Sequence, residues 1–312
     1  LDKLIEIFSL PTNSDFASSS LGHMNETWIV SSAGVNRYAL RKYNPSRSAA
    51  DVETEHRGLK ILEELFGSLI AAPLMGKNGA TIQTIDDSLF ALFPFKEGVS
   101  PSRKNSMHIR VAARTLAFLH LKLWHERHLF ASMLANRPAI TIDRFLPAKE
   151  IYDRLASQLN PSRLASWNIS YDFFSASEKQ ASRSFSSLAP HIQDKHLIHG
   201  DFGLTNLLID EESGDICAVL DWEEMRWDAP LFELAGVLPF YDQEHSKGSE
   251  IFLTEYLFEI QRLNHPNRES IIVALEYLDD AKYLTNYLEL TLMIESGHFE
   301  SDYIRFLCEM MM

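Results

Sequence analysis

Cysteine is nearly absent from this chain of 312 residues. Cys217 and Cys308 are the only two, so neither a disulfide framework nor a Cys-rich zinc site can be assembled, and a reducing, cytoplasmic setting is expected. Glycine and proline are also sparse, at 13 and 12, which excludes collagen-like and low-complexity classes. No apolar run approaches the roughly 18–20 residues that span a bilayer, and the longest candidate, residues 89–95, is strand-sized. No membrane partner is expected. Basic residues are in deficit, with 29 Lys and Arg against 43 Asp and Glu, a net charge of −14. Polyphosphate backbones are bound by clustered cations, so nucleic acid is not an expected partner.

Aromatic residues, by contrast, are plentiful: 19 Phe, 10 Tyr and 5 Trp argue for a packed globular protein. The pattern at 1–6 is that of a short amphipathic helix rather than a signal peptide. Residues 28–30 and 37–43 are β-rich and flank a turn containing Gly34, which predicts a hairpin. Asn78-Gly79, between 74–75 and 81–85, predicts a second hairpin, and 89–95 a further strand. Val52, Glu55, Leu59, Leu62 and Leu65 recur at helical spacing, so one helix lies among the strands.

Beyond Gly98 the period becomes helical, at 109–120, 151–159, 252–263 and 271–294, interrupted by strand-like runs at 207–209 and 216–220. The reading is α+β, with a strand-rich lobe over 1–95 and a mainly helical lobe over 96–312. Most of the acidic excess falls after residue 98.

The chemistry concentrates in residues 196–209 and 219–223. His199-Gly200-Asp201 is followed by Asn206 and, after an apolar strand, by Asp221-Trp222. This is the spacing of a phosphoryl-transfer site. A hydroxyl acceptor needs one carboxylate to orient it and take its proton, a role for Asp201. A nucleoside triphosphate needs Mg²⁺, which prefers hard oxygen ligands of the kind Asn206 and Asp221 supply.

This stretch resembles the aminoglycoside phosphotransferase family, the protein-kinase-like small-molecule kinases that include choline and homoserine kinases. The resemblance implies a bilobal protein-kinase-like fold, with ATP and Mg²⁺ as cofactors. It also implies roles for residues of the first lobe. Residues 22–28 take the place of the loop over the ATP phosphates, with Asn25 its polar member. The phosphate-contacting cation falls on Arg41, Lys42 being the alternative, and its carboxylate partner on Glu55, with Glu53 as fallback. Residues 92–98 match the hinge, where Pro94 has no N–H, leaving the Phe93 carbonyl and the Phe95 amide to read adenine. The family's Gly-Asp-Pro-x-x-Asp element reads Asp228-Ala229-Pro230-Leu231-Phe232-Glu233 here, so Glu233, with His199, is assigned to supporting the catalytic loop. The family resemblance further implies that Glu223, Glu224, Asp228, Asp242 and Glu244 lie near the substrate, where carboxylates favour a cationic or zwitterionic molecule.

Other motifs fail on spacing. Residues 76–79 lack the pattern of a Walker A loop, and His120, His125 and His128 do not make a His-Glu-x-x-His zinc signature. The residues from 41 to 56 look most like the homoserine-kinase and stress-response-kinase branch. The expected activity is therefore transfer of the ATP γ-phosphate to a hydroxyl of a small amine-bearing molecule. A protein Ser/Thr kinase of the stress-response type and a nucleotide-binding pseudokinase acting as an interaction module are the alternatives.

Overall fold

A computed structural model of the chain describes residues 2–19, 25–134, 139–242, 247–297 and 299–312. In chain order the elements are α1 (Asp2–Ile7), β1 (Ser14–Ser18), β2 (Glu26–Ser32), β3 (Val35–Lys42), α2 (Ala49–Phe66), β4 (Gln83–Ile85), β5 (Ser88–Pro94) and α3 (Ser106–His125). They continue with α4 (Ala148–Leu159), α5 (Pro161–Ser166), α6 (Tyr171–Leu188), β6 (His196–Ile198), β7 (Leu207–Ile209), β8 (Ile216–Val219), β9 (Arg226–Asp228) and α7 (Pro230–Tyr241). The last four are α8 (Gly248–Arg262), α9 (Arg268–Ala274), α10 (Leu278–Glu295) and α11 (Ser301–Met310). No helix among the described residues is long and apolar enough to cross a membrane. The chain divides into two compact units, Leu1–Ala112 with Gly203–Glu224, and Ala113–Phe202 with Met225–Met312.

The first unit is built on an antiparallel sheet of order β1-β2-β3-β5-β4. Positive φ at Ala33 (51°) and Gly34 (75°) closes the β2–β3 hairpin with the twist that flanking strands favour. Alternation then sorts the side chains: Val30, Leu40 and Leu92 join Leu4, Phe8 and Leu10 in one buried cluster, while Arg41 falls on the other face. Each of those fully buried aliphatics contributes about 1.5–3 kcal/mol. Ser48 caps α2 by accepting from the Asp51 amide at 3.1 Å, and Val52, Glu55, His56, Leu59 and Leu62 form its buried stripe.

The second expected hairpin is displaced. Leu74 bridges Leu92 rather than residue 81, and the turn that pairs β4 with β5 is at Asp86-Asp87, both with positive φ. Asn78-Gly79 instead forms a surface turn pinned by Gln83, whose Nε2 donates to Asn78 Oδ1 at 3.0 Å. Nor are the compact units the consecutive segments 1–95 and 96–312. Val99 and Ile209 exchange backbone hydrogen bonds of 3.0 and 2.8 Å, zipping the β7–β8 hairpin onto the residues after β5 and so into the strand-rich unit.

The second unit is helical around a core that includes Phe174, Phe232, Leu284 and Tyr287. Its helix α7 is apolar on almost every side and is accordingly buried along most of its length, with Phe240 exposed near its end. β6 pairs with β9, and all three β6 side chains are buried. Beside them the His120 Nδ1 sits 2.7 Å from the Tyr256 hydroxyl, and burial lowers His196 to about 4, so this region is packed with neutral imidazoles. The helix expected over 271–294 is broken into α9 and α10 by a 3-10 turn at Leu275–Tyr277.

Gly98 permits the zipper at Val99. It has φ +146°, and a Cβ there would meet Cys217 Sγ and Leu208 Cβ at 2.9 Å and the Ile209 carbonyl at 3.0 Å. Gly98→Ala is expected to destabilise the chain by about 1–3 kcal/mol through crowding added to backbone strain. Gly214→Ala, where φ is +74° and nothing lies within 4 Å, bears the strain alone. Urea midpoints of the two variants measure the difference, and equal losses would refute the crowding argument.

Candidate functional site

In the first unit the chemistry gathers on the face of the sheet opposite α1. β3 carries Arg41 to 3.0 Å from Asp221 Oδ1 and 3.7 Å from Glu55 Oε1, through Nη1 in both cases. Lys42, one residue on, points the other way and pairs with Glu26. Glu55 is fully buried on α2, whereas Glu53 is exposed. A buried carboxylate must be satisfied, and three groups do so: Arg47 Nη2 donates to Oε2 at 2.9 Å, the Tyr43 hydroxyl approaches Oε1 at 3.4 Å, and Arg41 faces it electrostatically. Behind Tyr43, His56 Nε2 lies 2.9 Å from the phenol oxygen and its Nδ1 2.7 Å from Thr81 Oγ1. Burial first, and then the Arg41 charge, lowers His56 to about 4. The ring is therefore neutral at pH 7. Arg41 also lies 5.5 Å from the centre of the Phe93 ring.

Burial is the largest single influence on Arg41 and opposes its charge, but Asp221, Tyr43, Glu55 and Glu223 together outweigh it and raise its pKa. Asp221 occupies a left-handed backbone position, φ 60°, at the end of β8. Its Oδ1 is buried and, Arg41's charge apart, has no hydrogen-bond partner. That oxygen forms an ion pair with Arg41 at 3.0 Å, and a carboxylate oxygen is a hard donor of the kind a divalent cation takes. Two residues on, Glu223 accepts from Asn25 Nδ2 at 2.7 Å, while Asn25 Oδ1 accepts from the Asn44 amide at 3.0 Å. Burial, then the neighbouring Asp221, pushes Glu223 up to about 7 against the opposing pull of Arg41 and Asn25. Asn206 ends the turn before β7, and its carbonyl accepts from the Leu220 amide at 2.7 Å. Asn206 and Asp221 thus bracket the β7–β8 hairpin within one unit. One or two such oxygens, completed by phosphate and water, fit Mg²⁺. Among the described residues no three His, Cys, Asp or Glu side chains converge on a metal position, as a transition-metal site would require.

In the second unit β6 leads directly into His199-Gly200-Asp201. The turn is held by the buried carboxylate of Glu233, which accepts from the His199 amide at 2.6 Å and from the Gly200 amide at 3.1 Å. Gly200 has φ 87°, and the Asp201 amide donates to His199 Nδ1 at 3.2 Å. Burial raises Glu233 to about 7, against Arg226 and the backbone donors. Burial, and then the charges of Glu289, Asp201 and Glu300, raise the pKa of Tyr303 on α11. Its ring stacks with Phe306 at 6.0 Å.

Several sequence-based expectations need correction. The Phe95 amide donates to the Arg37 carbonyl at 2.9 Å, so it is not open to adenine. Pro94, opposite Tyr38, can donate nothing to the ladder, and the next amide makes the bond. Asp228 is buried and engaged with Arg226, Ile140 and Ala229, so it does not face a substrate, while the exposed Asp242 accepts from Ser249. Gly22, His23, Met24 and Glu244 lie outside the described residues. Sequence reasoning missed Arg47, Tyr43, Glu289 and Tyr303. Arg47 had one signal, its place directly before the Ser48 cap; the others sit in no motif.

The pKa of Glu233 has a sign that experiment can read. Raised from 4.5 to about 7, it binds a proton in the folded chain where the unfolded chain has lost it. Stability from this group is therefore complete below pH 4.5 and is lost as pH rises through 7. Glu233→Gln should remove on the order of 2–3 kcal/mol of the pH dependence between 5 and 8. Urea unfolding at the two pH values checks it; parallel losses in both proteins would contradict the assignment.

Residues 19–266 match the phosphotransferase enzyme family. Acyl-CoA dehydrogenase family member 11 of Rattus norvegicus is 25% identical over 230 residues, covering 70% of this chain and 27% of that protein. The chain thus spans about a quarter of the length of that relative. Among solved structures, the ethanolamine kinase of Plasmodium vivax superposes with a TM-score of 0.66 at 14% identity, over 96% of this chain and 82% of that one. The amicoumacin kinase hAmiN in complex with AMP-PNP, Ca²⁺ and Ami gives 0.63 at 13% identity, over 99% and 90%. Identities this low speak for the fold, which is α+β and kinase-like. With a family match across most of its length and a kinase-like fold, this chain belongs to the phosphotransferase enzyme family.

Proposed function

We propose that the chain transfers the γ-phosphoryl group of ATP, in the presence of Mg²⁺, to a hydroxyl of a small amine-bearing molecule. The observation that carries this reading is the buried, hydrogen-bond-free Oδ1 of Asp221, facing an arginine that Glu55 and Asp221 share. In this role Arg41 binds phosphate oxygens through its planar fork, Glu55 holds the guanidinium between turnovers, and Asp221 and Asn206 hold the metal. When bound, Mg²⁺ neutralises charge on the phosphoryl group. Asp201 orients the acceptor hydroxyl and takes its proton, and Glu233 keeps the Asp201 turn in place by accepting from the amides of the two preceding residues. Asn25, at the edge of the first unit's cluster, holds Glu223 and the Asn44 amide and would border the nucleotide.

The acceptor's charge follows from the surroundings of Asp201. Tyr303 feels Glu289 and Glu300 as well as Asp201, so the field there is negative and an aromatic face is at hand. Carboxylates with an aromatic wall favour an ammonium group and disfavour a sugar acid. An amine-bearing acceptor also agrees with the ethanolamine kinase among the structural relatives.

ATP consumption across amino alcohols, aminoglycosides and peptides tests the class of acceptor; turnover with peptides alone would replace this reading by the protein-kinase one. Asp201→Asn should lower kcat by roughly 10²–10⁴-fold while leaving nucleotide affinity nearly unchanged. Retention of more than about a tenth of the rate would sink its role as base. Asp221→Ala should abolish the Mg²⁺ dependence of ATP binding in calorimetry, with Asn206→Ala weakening it less, because an amide is a poorer ligand than a carboxylate. Unchanged Mg²⁺ dependence in both would remove the metal assignment. The acceptor KM should rise with salt as screening over about 8 Å weakens steering; a flat KM would leave the acidic surface without a part in recognition.

A further inference from the structure

A cleft of about 460 Å³ lies within the second unit, and none of the residues assigned a role above lines it. Trp124, Arg127 and His128 near the end of α3, Asp194 and Lys195 before β6, and Trp227 of β9 line it. Lys195 precedes β6 and Asp201 follows it, so the cleft and the proposed base are at opposite ends of one strand. Strand alternation explains Trp227: its neighbours Arg226 and Asp228 pair with each other at 3.1 Å on the buried side, which turns the indole between them outward.

The lining runs against the character of the whole chain. A protein with a net charge of −14 places two permanent cations here against the single carboxylate of Asp194. Arg127 is pre-organised: its guanidinium lies 4.1 Å from the centre of the Trp124 ring, and Nη1 donates to the Trp124 carbonyl at 2.8 Å. That leaves its other N–H groups to a ligand. Lys195 makes no hydrogen bond or ion pair among the described residues. Trp124 is covered by Arg127 and flanked by His125 and His265, whereas the half-buried Trp227 offers an apolar wall. The volume lies within the roughly 300–1,000 Å³ of ligand pockets.

From this juxtaposition we infer that the cleft between Arg127, Lys195 and Trp227 is a binding site for a planar aromatic carboxylate. Its carboxylate is received by the Arg127 fork and the Lys195 ammonium, and its ring packs on Trp227. One net positive charge suits a monoanion. The site is separate from phosphoryl transfer and does not depend on that activity.

Calorimetry and saturation-transfer NMR on the intact chain decide it, with benzoate as the probe. Benzyl alcohol, benzylammonium and acetate are the controls, lacking the charge, reversing it and lacking the ring. Benzoate should bind saturably and at least roughly tenfold more tightly than each control. Lys195→Gln, and Ala131→Glu at the exposed rim, should each weaken benzoate about fivefold or more while leaving thermal stability and nucleotide binding unchanged. Equal affinity for benzyl alcohol would overturn the charge recognition, and equal affinity for acetate the ring recognition. Benzoate binding that both variants leave intact would place the ligand elsewhere, and absence of saturable binding up to about 10 mM would eliminate the site.

Discussion

The organisation of the first unit turns on one buried carboxylate. Glu55 is fully excluded from water on the inner face of α2, and an unpaired charge there would cost several kcal/mol. Arg47, Tyr43 and Arg41 converge on it. That requirement fixes the distance between α2 and β3 and the direction of Arg41. It also links Arg41 to Asp221, since the Nη1 held 3.7 Å from Glu55 Oε1 forms an ion pair with Asp221 Oδ1 at 3.0 Å. Arg47 contributes most directly to Glu55, so Arg41 is held without being locked. The nucleotide-contacting role proposed for Arg41 calls for that latitude.

Within the second unit a second buried carboxylate performs a comparable task on backbone. Glu233 receives the amides of His199 and Gly200, donors that a turn after a three-residue strand cannot pair by itself. Burial leaves it poised near neutrality, like Glu223 in the first unit. Both groups sit where desolvation is opposed only partly by donors and cations. Perturbed carboxylates of this kind cluster at functional sites.

How far the fold was legible depended on the strength of each local pattern. The β2–β3 hairpin was readable because β-rich runs flank a short turn with Gly34, and α2 because its apolar residues keep strict helical spacing. The turn between β4 and β5 was not. Asn78-Gly79 is the stronger local turn signal, but Leu74 pairs with Leu92, and two consecutive aspartates take the left-handed positions. Helix α6 went unread because its many serines dilute the apolar stripe that buries Phe174, Ala181 and Leu188. Strand β1 carries too little apolar alternation to stand out, and pairing with β2 makes it a strand.

The sequence by itself determined the residue types and spacing of the candidate site: Asp201, Asn206 and Asp221 are five and fifteen residues apart along the chain, and that spacing is what the proposed phosphoryl-transfer role starts from. It also determined that Arg41 and Lys42 face opposite ways, because a strand has a period of two. Only the tertiary structure decided which cations meet which carboxylates. Arg47 reaches Glu55 because the α2 cap brings it there, and Asp228 is engaged with Arg226 and two backbone amides rather than facing a substrate. The Phe95 amide is likewise taken by Arg37. Such pairings depend on desolvation and on distances between segments far apart in the chain, and neither quantity is contained in local spacing.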